Sequence, residues 1–227
     1  SLIMENMDST VIATSLAAIA NDIHTDPIAL KLALTAYLVA LAIFIPISAW
    51  AADRWGARNV YRGAMIVFML GSIACAASNS LTTFVLARLL QGFGGAMMTP
   101  VGRLVLIRSF PRSQLITAMT YTTLPAIMGP IIGPLLGGAL TTYFSWRWVF
   151  YVNIPFGLAG IFMALRFLED TRSDASAKFD FPGFLMVGVG FCLLEYGFEN
   201  IGRPTIAPPA IVAVLIVALL LLIAFFF

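Results

Sequence analysis

An apolar stretch with no charged residue, residues 115–143, limits the folds that the sequence can adopt. In water, glycine costs about 1 kcal/mol and proline about 3 kcal/mol in a helix interior relative to alanine. In lipid the backbone has no other hydrogen-bond partner, so it stays helical and neighbouring helices satisfy the groups that proline frees. The stretch therefore predicts a transmembrane helix that is bent where its helix breakers lie, at Gly129, Pro130, Gly133, Pro134, Gly137 and Gly138.

Three of these glycines recur at every fourth position and so share one face of the predicted helix. Gly129, Gly133 and Gly137 form a stripe on which another helix backbone can approach closely. Pro130 and Pro134 lie beside the stripe and remove two amide donors from the helix ladder. We expect this glycine stripe to be a helix contact surface.

Composition places the whole chain in a membrane. Hydrophobic residues make up 60% of the sequence and charged residues 11%, against about 25% charged in soluble domains. The net charge of +2 gives no support for nucleic-acid binding. Cys75 and Cys192 lie in apolar runs, which indicates small buried hydrophobic side chains and neither a disulfide nor a metal site. No basic leader or cleavage site precedes the first apolar segment, so we expect no signal peptide.

Apolar length predicts an all-α integral membrane protein. A spanning helix needs roughly 20 mostly apolar residues. On this measure we predict spans at residues 2–21, 29–51, 60–78, 81–106, 113–139, 147–167, 181–199 and 206–227.

Basic residues fall unevenly on the two sides of these spans. The positive-inside rule assigns the richer side to the cytoplasm. That side has Arg54, Arg58, Arg62, Arg103, Arg108, Arg112, Arg166, Arg172 and Lys178, and the other has Lys31, Arg147 and Arg203. We therefore expect a cytoplasmic amino terminus.

Arg88 lies within the fourth predicted span, where an arginine costs at least about 2.5 kcal/mol. Gln91 follows it on the same helix face. Asp8 in the first span is a natural partner, and Glu5 lies one turn before it. Arg88 is either a buried cation that couples to a proton or substrate, or a structural residue that binds backbone carbonyls.

Asp53, Arg54, Gly56 and Arg58 form a predicted tight turn after the second span. Gly56 permits the chain reversal, and Asp53 is placed to cap the next helix or to meet another helix N-terminus. The alternative is a charge cluster that only sets topology.

Side chains that we expect to line a substrate cavity lie on several spans. The methionines offer adaptable walls, although ordinary helix packing is the favoured explanation for them, and each glutamate is either in a cavity or at the membrane interface. The candidates are Glu5, Gln91, Met97, Met119 and Glu195.

Five motifs in the same order resemble the amino-terminal half of the major facilitator superfamily, in its fourteen-helix drug:proton antiporter branch. Each is weak alone. They are residues 7–11 (MDSTV), 53–58 (DRWGAR), 88–92 (RLLQG), 129–138 and 146–155 (WRWVFYVNIP).

The resemblance implies a six-helix bundle of two inverted three-helix repeats in residues 1–168. A cytoplasmic linker at 169–180 and two extra transmembrane helices at 181–227 would lead to a second bundle that this chain lacks. Both ends lie in apolar segments, so we expect a fragment of a longer protein. The implied activity is efflux of amphipathic compounds against inward proton flow across the cytoplasmic membrane.

The resemblance also implies roles for individual residues. Arg88 would take part in proton coupling, and Asp8 in protonation or substrate binding. The helix with the glycine stripe would contact the second bundle, and Asp53 with Arg58 would latch the cytoplasmic side. Ala49, Asn59 and Ala17 depart from the family motifs, which predicts a weaker latch and a less kinked first helix.

Two alternatives stay open. The protein is an exporter of one specific metabolite (a sugar, amino acid or siderophore), or a non-transporting half that acts in assembly or regulation. The partners expected for transport are a small molecule, protons, lipid and the second bundle, with the proton gradient as energy source and no cofactor. No nucleophile with a base, metal cluster or phosphate loop supports an enzyme.

Overall fold

The computed structural model describes residues 2–168, 179–201 and 208–225, and the predicted spans form helices close to the expected positions. Most of the predicted linker at 169–180, and the break at 202–204, lie outside these residues. The helices are α1 Leu2–Asp22, α2 Pro27–Phe44, α3 Ile47–Trp55, α4 Ala57–Ala77, α5 Leu81–Ser109, α6 Leu115–Tyr143, α7 Trp148–Tyr151, α8 Asn153–Phe167, α9 Phe181–Glu199 and α10 Pro208–Ala224.

Six helical segments among the described residues are long and apolar enough to cross a membrane. They are α2, α4, α5, α6, the pair α7 and α8, and α9. The first helix carries Glu5, Asp8 and Asp22, and α10 has 17 residues. The chain is thus an all-α membrane protein with several spans.

Two predicted spans are each built from two helices. The second span breaks at Ile45 and Pro46, because proline cannot donate to the preceding turn, and resumes as α3. The sixth begins as the short α7 and continues from Asn153 as α8. Pro155 falls in the first turn of α8, where a missing amide costs least.

Glycines on α5 bring three helices together at the centre of the bundle. A Cβ atom at Gly92 would lie 2.7 Å from the carbonyl oxygen of Tyr37 on α2. One at Gly94 would lie 2.5 Å from the amide nitrogen of Phe68 on α4. Because these helices touch through their backbones, polar side chains on α2, α4 and α5 lie within reach of one another.

The glycine stripe of α6 faces α1 of the same bundle, so the predicted contact of this stripe with a second bundle is wrong. A Cβ atom at Gly133 would overlap Thr10 Oγ1, and one at Gly137 would lie 2.8 Å from Val11 Cγ1. Thr10 and Thr14 fill this contact without leaving an unpaired hydroxyl, because each hydroxyl donates to a carbonyl of its own helix. The helix α1 therefore occupies the glycine stripe, the face on which α6 permits the closest helix contact.

The opposite face of α6 is exposed on this chain. Pro130 and Pro134 lie on it, and a Cβ atom at Gly138 would meet nothing within 4 Å. Apolar side chains continue this outward face along the helix at Leu124, Ile127, Ile131 and Leu135.

The last two helices lie against the outside of the bundle. The helices α9 and α10 pack on each other through Gly190 and Gly197, and α9 also packs on α2. Glu195 on α9 is half-buried in this outer layer. The other cavity candidates lie on other helices, so its place in a cavity stays a prediction.

Candidate functional site

Asp8 and Arg88 form an ion pair inside the bundle, which confirms the predicted pairing. Arg88 Nη1 donates to Asp8 Oδ2 at 2.6 Å. The side chains of both residues are buried, at 1% and 0% exposure. In a region of low dielectric constant, each of these charges is strongly stabilised by the other.

Amides from two helices complete the coordination of Asp8. Gln91 Nε2 donates to Asp8 Oδ1 at 2.8 Å, and Asn153 Nδ2 donates to the same oxygen at 3.0 Å. Both nitrogens also reach Ser72 Oγ on α4, at 2.7 and 3.0 Å. Arg88 Nη1 bonds to Gln91 Oε1 at 2.6 Å. Side chains of α1, α4, α5 and α8 thus form one hydrogen-bonded network around the Asp8 carboxylate.

Tyr37 on α2 lies beside this network. The guanidinium carbon of Arg88 lies 4.1 Å from the centroid of the Tyr37 ring, which is a cation–π contact. Some polar atoms of the group have no hydrogen-bond partner among the described residues: Tyr37 Oη, Arg88 Nε and Nη2, and Asn153 Oδ1. The network therefore retains donors and acceptors for a rearranged set of bonds.

A cavity of about 500 Å³ opens next to the network, and Glu5 lies in its wall as predicted. Thr99 Oγ1 donates to Glu5 Oε2 at 2.5 Å, and Arg103 also lines the space. The rest of the wall is mainly apolar and includes Ile45, Ala49, Gly95, Ala96, Leu104 and Ile107.

Three further cavity candidates do not line this space, so their place in a substrate cavity stays a prediction. Gln91 is fully buried, because its amide is needed by Asp8 and Arg88. Met97 packs against the core between α4 and α5 and borders a separate surface groove with Val60. Met119 is 44% exposed on α6.

The predicted turn at Gly56 is confirmed, but the charges around it pair differently. Gly56 has φ 87°, a value that favours glycine, between α3 and α4. Asp53 neither caps α4 nor meets Arg58; its Oδ1 accepts from Arg108 Nη2 at 2.7 Å. Arg58 Nη2 instead donates to the carbonyl of Leu165 at 2.7 Å. The cluster ties α3 to α5 and α4 to α8, while Arg54 is exposed.

A second polar cluster closes the opposite end of the bundle. Arg147 Nη1 donates to Asp22 Oδ2 at 2.6 Å, and Trp146 Nε1 donates to the same oxygen at 3.1 Å. Arg147 Nη2 reaches Asn79 Oδ1 at 3.2 Å. The bonds from Arg147 and Trp146 hold the pKa of Asp22 below its ordinary value. The whole cluster joins the end of α1 to the turns before α5 and α7.

Sequence reasoning did not assign Ser72, Asn153, Tyr37 or Thr99 to the site. Asn153 lies in the motif at residues 146–155, and the other three are isolated polar residues in apolar spans. A polar side chain in a span is itself a signal of function, because lipid offers it no partner. Within the described ranges, no cluster of three or more His, Cys, Asp or Glu side chains is placed to hold a metal ion.

Comparison with known sequences identifies relatives over nearly the whole chain. The sequence profile described as Major Facilitator Superfamily matches residues 1–227. Proteins named "Putative multidrug resistance protein MdtD" from Salmonella typhimurium and Salmonella enteritidis are 40% identical over 205 residues, which is 90% of this chain. The chain spans 43% of the length of these relatives.

Solved transporter structures share the fold at low sequence identity. The proton:xylose symporter XylE matches 94% of this chain at a TM-score of 0.64 and 14% identity. The peptide-family transporter PepTSo matches 99% at 0.65 and 15% identity. In both cases the chain covers 50% of the solved protein. The architecture is thus a six-helix major facilitator bundle of two inverted three-helix repeats, with α9 and α10 as additional helices.

Proposed function

Because the chain belongs to the major facilitator superfamily, we propose that it is the amino-terminal half of a proton-coupled exporter of amphipathic drugs or toxic compounds. A second six-helix bundle, absent from this chain, would follow the two additional helices. Residues 1–168 form the first bundle, 169–180 a cytoplasmic linker, and 181–227 the two linking helices. The names of the MdtD relatives support the substrate class.

The observation that carries this proposal is the buried bond between Asp8 and Arg88. Removing one partner of a buried pair leaves an uncompensated charge, at a cost of about 3–5 kcal/mol. A proton that neutralises Asp8 therefore also releases Arg88 and the amides of Gln91 and Asn153. Such a change at a contact between four helices is large enough to shift the balance between two packings of the bundle.

Proton and substrate then act on the bundle in opposite ways. The protonated bundle favours one orientation of the cavity, and substrate binding to the deprotonated bundle favours the other. The proton gradient supplies the free energy, and no cofactor takes part. Alternating access requires the second bundle as the body against which this one moves.

Charge distribution supports an orientation in the cytoplasmic membrane. Arg58, Arg103 and Arg108 lie toward the end of the bundle that carries α3, and Arg147 lies at the other end. By the positive-inside rule the α3 end and the amino terminus are cytoplasmic. The Glu5 cavity would then open toward the cytoplasm.

The second bundle would cover the outward face of α6 rather than its glycine stripe. This face carries Pro130 and Pro134 next to the exposed Ile127, Ile131 and Leu135. Proline leaves carbonyl groups unpaired in the preceding turn, which permits local bending without a change in the tight contact to α1. The helix would thus move against one partner while held by the other.

Efflux from vesicles tests the proposal. The full-length protein is reconstituted in proteoliposomes loaded with ethidium, and efflux is followed with and without an imposed proton gradient. We expect gradient-dependent efflux that an uncoupler stops and that Arg88→Ala abolishes. Efflux that does not depend on the gradient, or an efflux rate that is unchanged in Arg88→Ala, would contradict the antiport proposal.

Competition separates a multidrug exporter from a specific one. Unrelated lipophilic cations, such as tetraphenylphosphonium and benzalkonium, are added to the ethidium assay. A multidrug exporter is inhibited by both. An exporter of one metabolite is inhibited by neither, which would favour the narrower function.

A further inference from the structure

The hydroxyl of Tyr37 is a buried polar group that makes no hydrogen bond within the described part of the chain. The side chain is 2% exposed and packs in a core cluster with Met4, Phe68 and Met98. A phenylalanine would fill the same space and keep the ring over Arg88 without burying an unpaired hydroxyl. Buried unpaired polar groups are rare enough in proteins to require an explanation.

The Tyr37 side chain runs from the buried ion pair toward the cavity. Its ring lies over the guanidinium of Arg88, and its oxygen would lie 3.2 Å from a Cβ atom at Gly95. Gly95 lines the cavity together with Thr99 and Glu5. Since residues 88, 95 and 99 follow one face of α5, the hydroxyl lies between the ion pair and the Thr99–Glu5 bond.

Two carboxylates, Glu5 and Asp8, lie at the cavity end and the ion-pair end of the Tyr37 side chain. Glu5 and Asp8 are three residues apart on α1, so they are neighbours on one helix face. Glu5 borders the cavity, whereas Asp8 is enclosed by Arg88 and two amides.

We propose that Tyr37 Oη relays a proton between Glu5 in the cavity and Asp8 in the buried pair. This inference rests on the proposed proton coupling. The phenol oxygen accepts the proton that leaves the Glu5 carboxyl and gives its own proton to the Asp8 carboxylate, each transfer passing through a bridging water because the hydroxyl bonds to neither carboxylate in the described part of the chain. Glu5 is left ionised, Asp8 neutral and the phenol unchanged, so charge and atoms balance. The reverse transfer returns the proton to the cavity.

The test compares two assays of the full-length transporter in proteoliposomes. Proton-driven ethidium efflux requires the relay, while ethidium counterflow at equal pH on both sides exchanges substrate without net proton movement. We expect Tyr37→Phe to slow driven efflux by at least about tenfold, since proton relays contribute factors of this size or more. Counterflow should be unchanged. Tyr143→Phe, at a residue 80% exposed on α6, is the matched control and should alter neither assay.

A double variant tests whether Glu5 and Tyr37 serve one path. We expect Glu5→Gln to slow driven efflux, and the double variant to be no slower than the slower single one. Multiplied losses would contradict a common path.

Stability separates the relay from a structural role. The unfolding temperature of Tyr37→Phe should be no lower than that of the wild type, because the substitution breaks no bond seen in the structure and removes an unpaired buried hydroxyl. Unchanged driven efflux in Tyr37→Phe, or an equal loss in both assays, would overturn the relay and leave the proposed function standing. Wild-type efflux without gradient dependence would overturn both.

Discussion

Arg88 holds Asp8 from another helix through a bond of 2.6 Å between Nη1 and Oδ2, and the bond is closed to solvent. The residues are 80 positions apart in the chain, so the bond fixes α1 against α5. Three further side chains, Gln91, Asn153 and Ser72, are bonded into the same group. This buried polar network therefore lies where four helices of the bundle meet.

Breaking this pair should cost far more than breaking an exposed one. We expect Asp8→Asn to lower the free energy of unfolding by about 3–5 kcal/mol, because Arg88 is left charged and unpaired. Asp8→Asn with Arg88→Gln should be more stable than Asp8→Asn alone. Asp53→Asn, which breaks the half-exposed bond to Arg108, should cost about 0–1 kcal/mol. Unfolding in detergent measures all three, and equal costs at the two sites would contradict the account.

Asn153 should stabilise the buried pair through its bond to Asp8. Asn153→Leu removes a donor to Asp8 and to Ser72, so we expect about 1–3 kcal/mol lower stability. Asn59→Leu, at an exposed position on α4, is the control and should change the stability by less than about 0.5 kcal/mol. Unfolding in detergent measures both variants. Equal costs in the two variants would refute this role of Asn153.

Adjacent glycines on α6 should respond in opposite ways to alanine. Gly137→Ala places a methyl group 2.8 Å from Val11 Cγ1 and 3.0 Å from its carbonyl oxygen, so we expect about 1–3 kcal/mol of destabilisation from overpacking. Gly138→Ala meets no atom within 4 Å and gains helix propensity, worth up to about 1 kcal/mol. Unfolding temperatures of the two variants measure the difference. A result in the reverse order would show that the stripe does not face α1.

The Asp22 cluster should add stability that is lost in acid. Asp22 is the last residue of α1, beyond the predicted span, and Arg147 and Trp146 lower its pKa through hydrogen bonds. Because the pKa of Asp22 is lower in the folded state, the cluster adds stability at pH values above the unfolded-state pKa, which is about 4. This stability is lost as the pH falls through the folded-state pKa. The wild type should therefore be more stable than Asp22→Asn at neutral pH, with a difference that shrinks in acid. Unfolding temperatures at several pH values test this, and a constant difference would exclude the linkage.

The helices could be predicted because apolar length alone defines a span. The pairing of Asp8 with Arg88 was also predictable, since lipid leaves a buried arginine few other partners. Both inferences follow from the properties of the lipid bilayer, and neither requires knowledge of how the helices are arranged.

The features that sequence reasoning missed depend on how the helices are placed and rotated. The direction of the Gly133 and Gly137 stripe required knowing that α1 lies beside α6 and presents threonines there. Asp53 pairs with Arg108 because the end of α5 lies beside the turn after α3, and the local motif contains no information on the position of α5. Tyr37 is one aromatic residue among many until its ring is found over Arg88.

Proton release on substrate binding is the most direct test of exchange at the Asp8–Arg88 pair. Ethidium is added to the purified full-length transporter in weakly buffered detergent solution, and the pH is recorded. We predict proton release by the wild type over the pH range in which efflux is coupled, and none by Asp8→Asn. No release by the wild type at any pH, or equal release by Asp8→Asn, would contradict the claim that this pair exchanges protons for substrate.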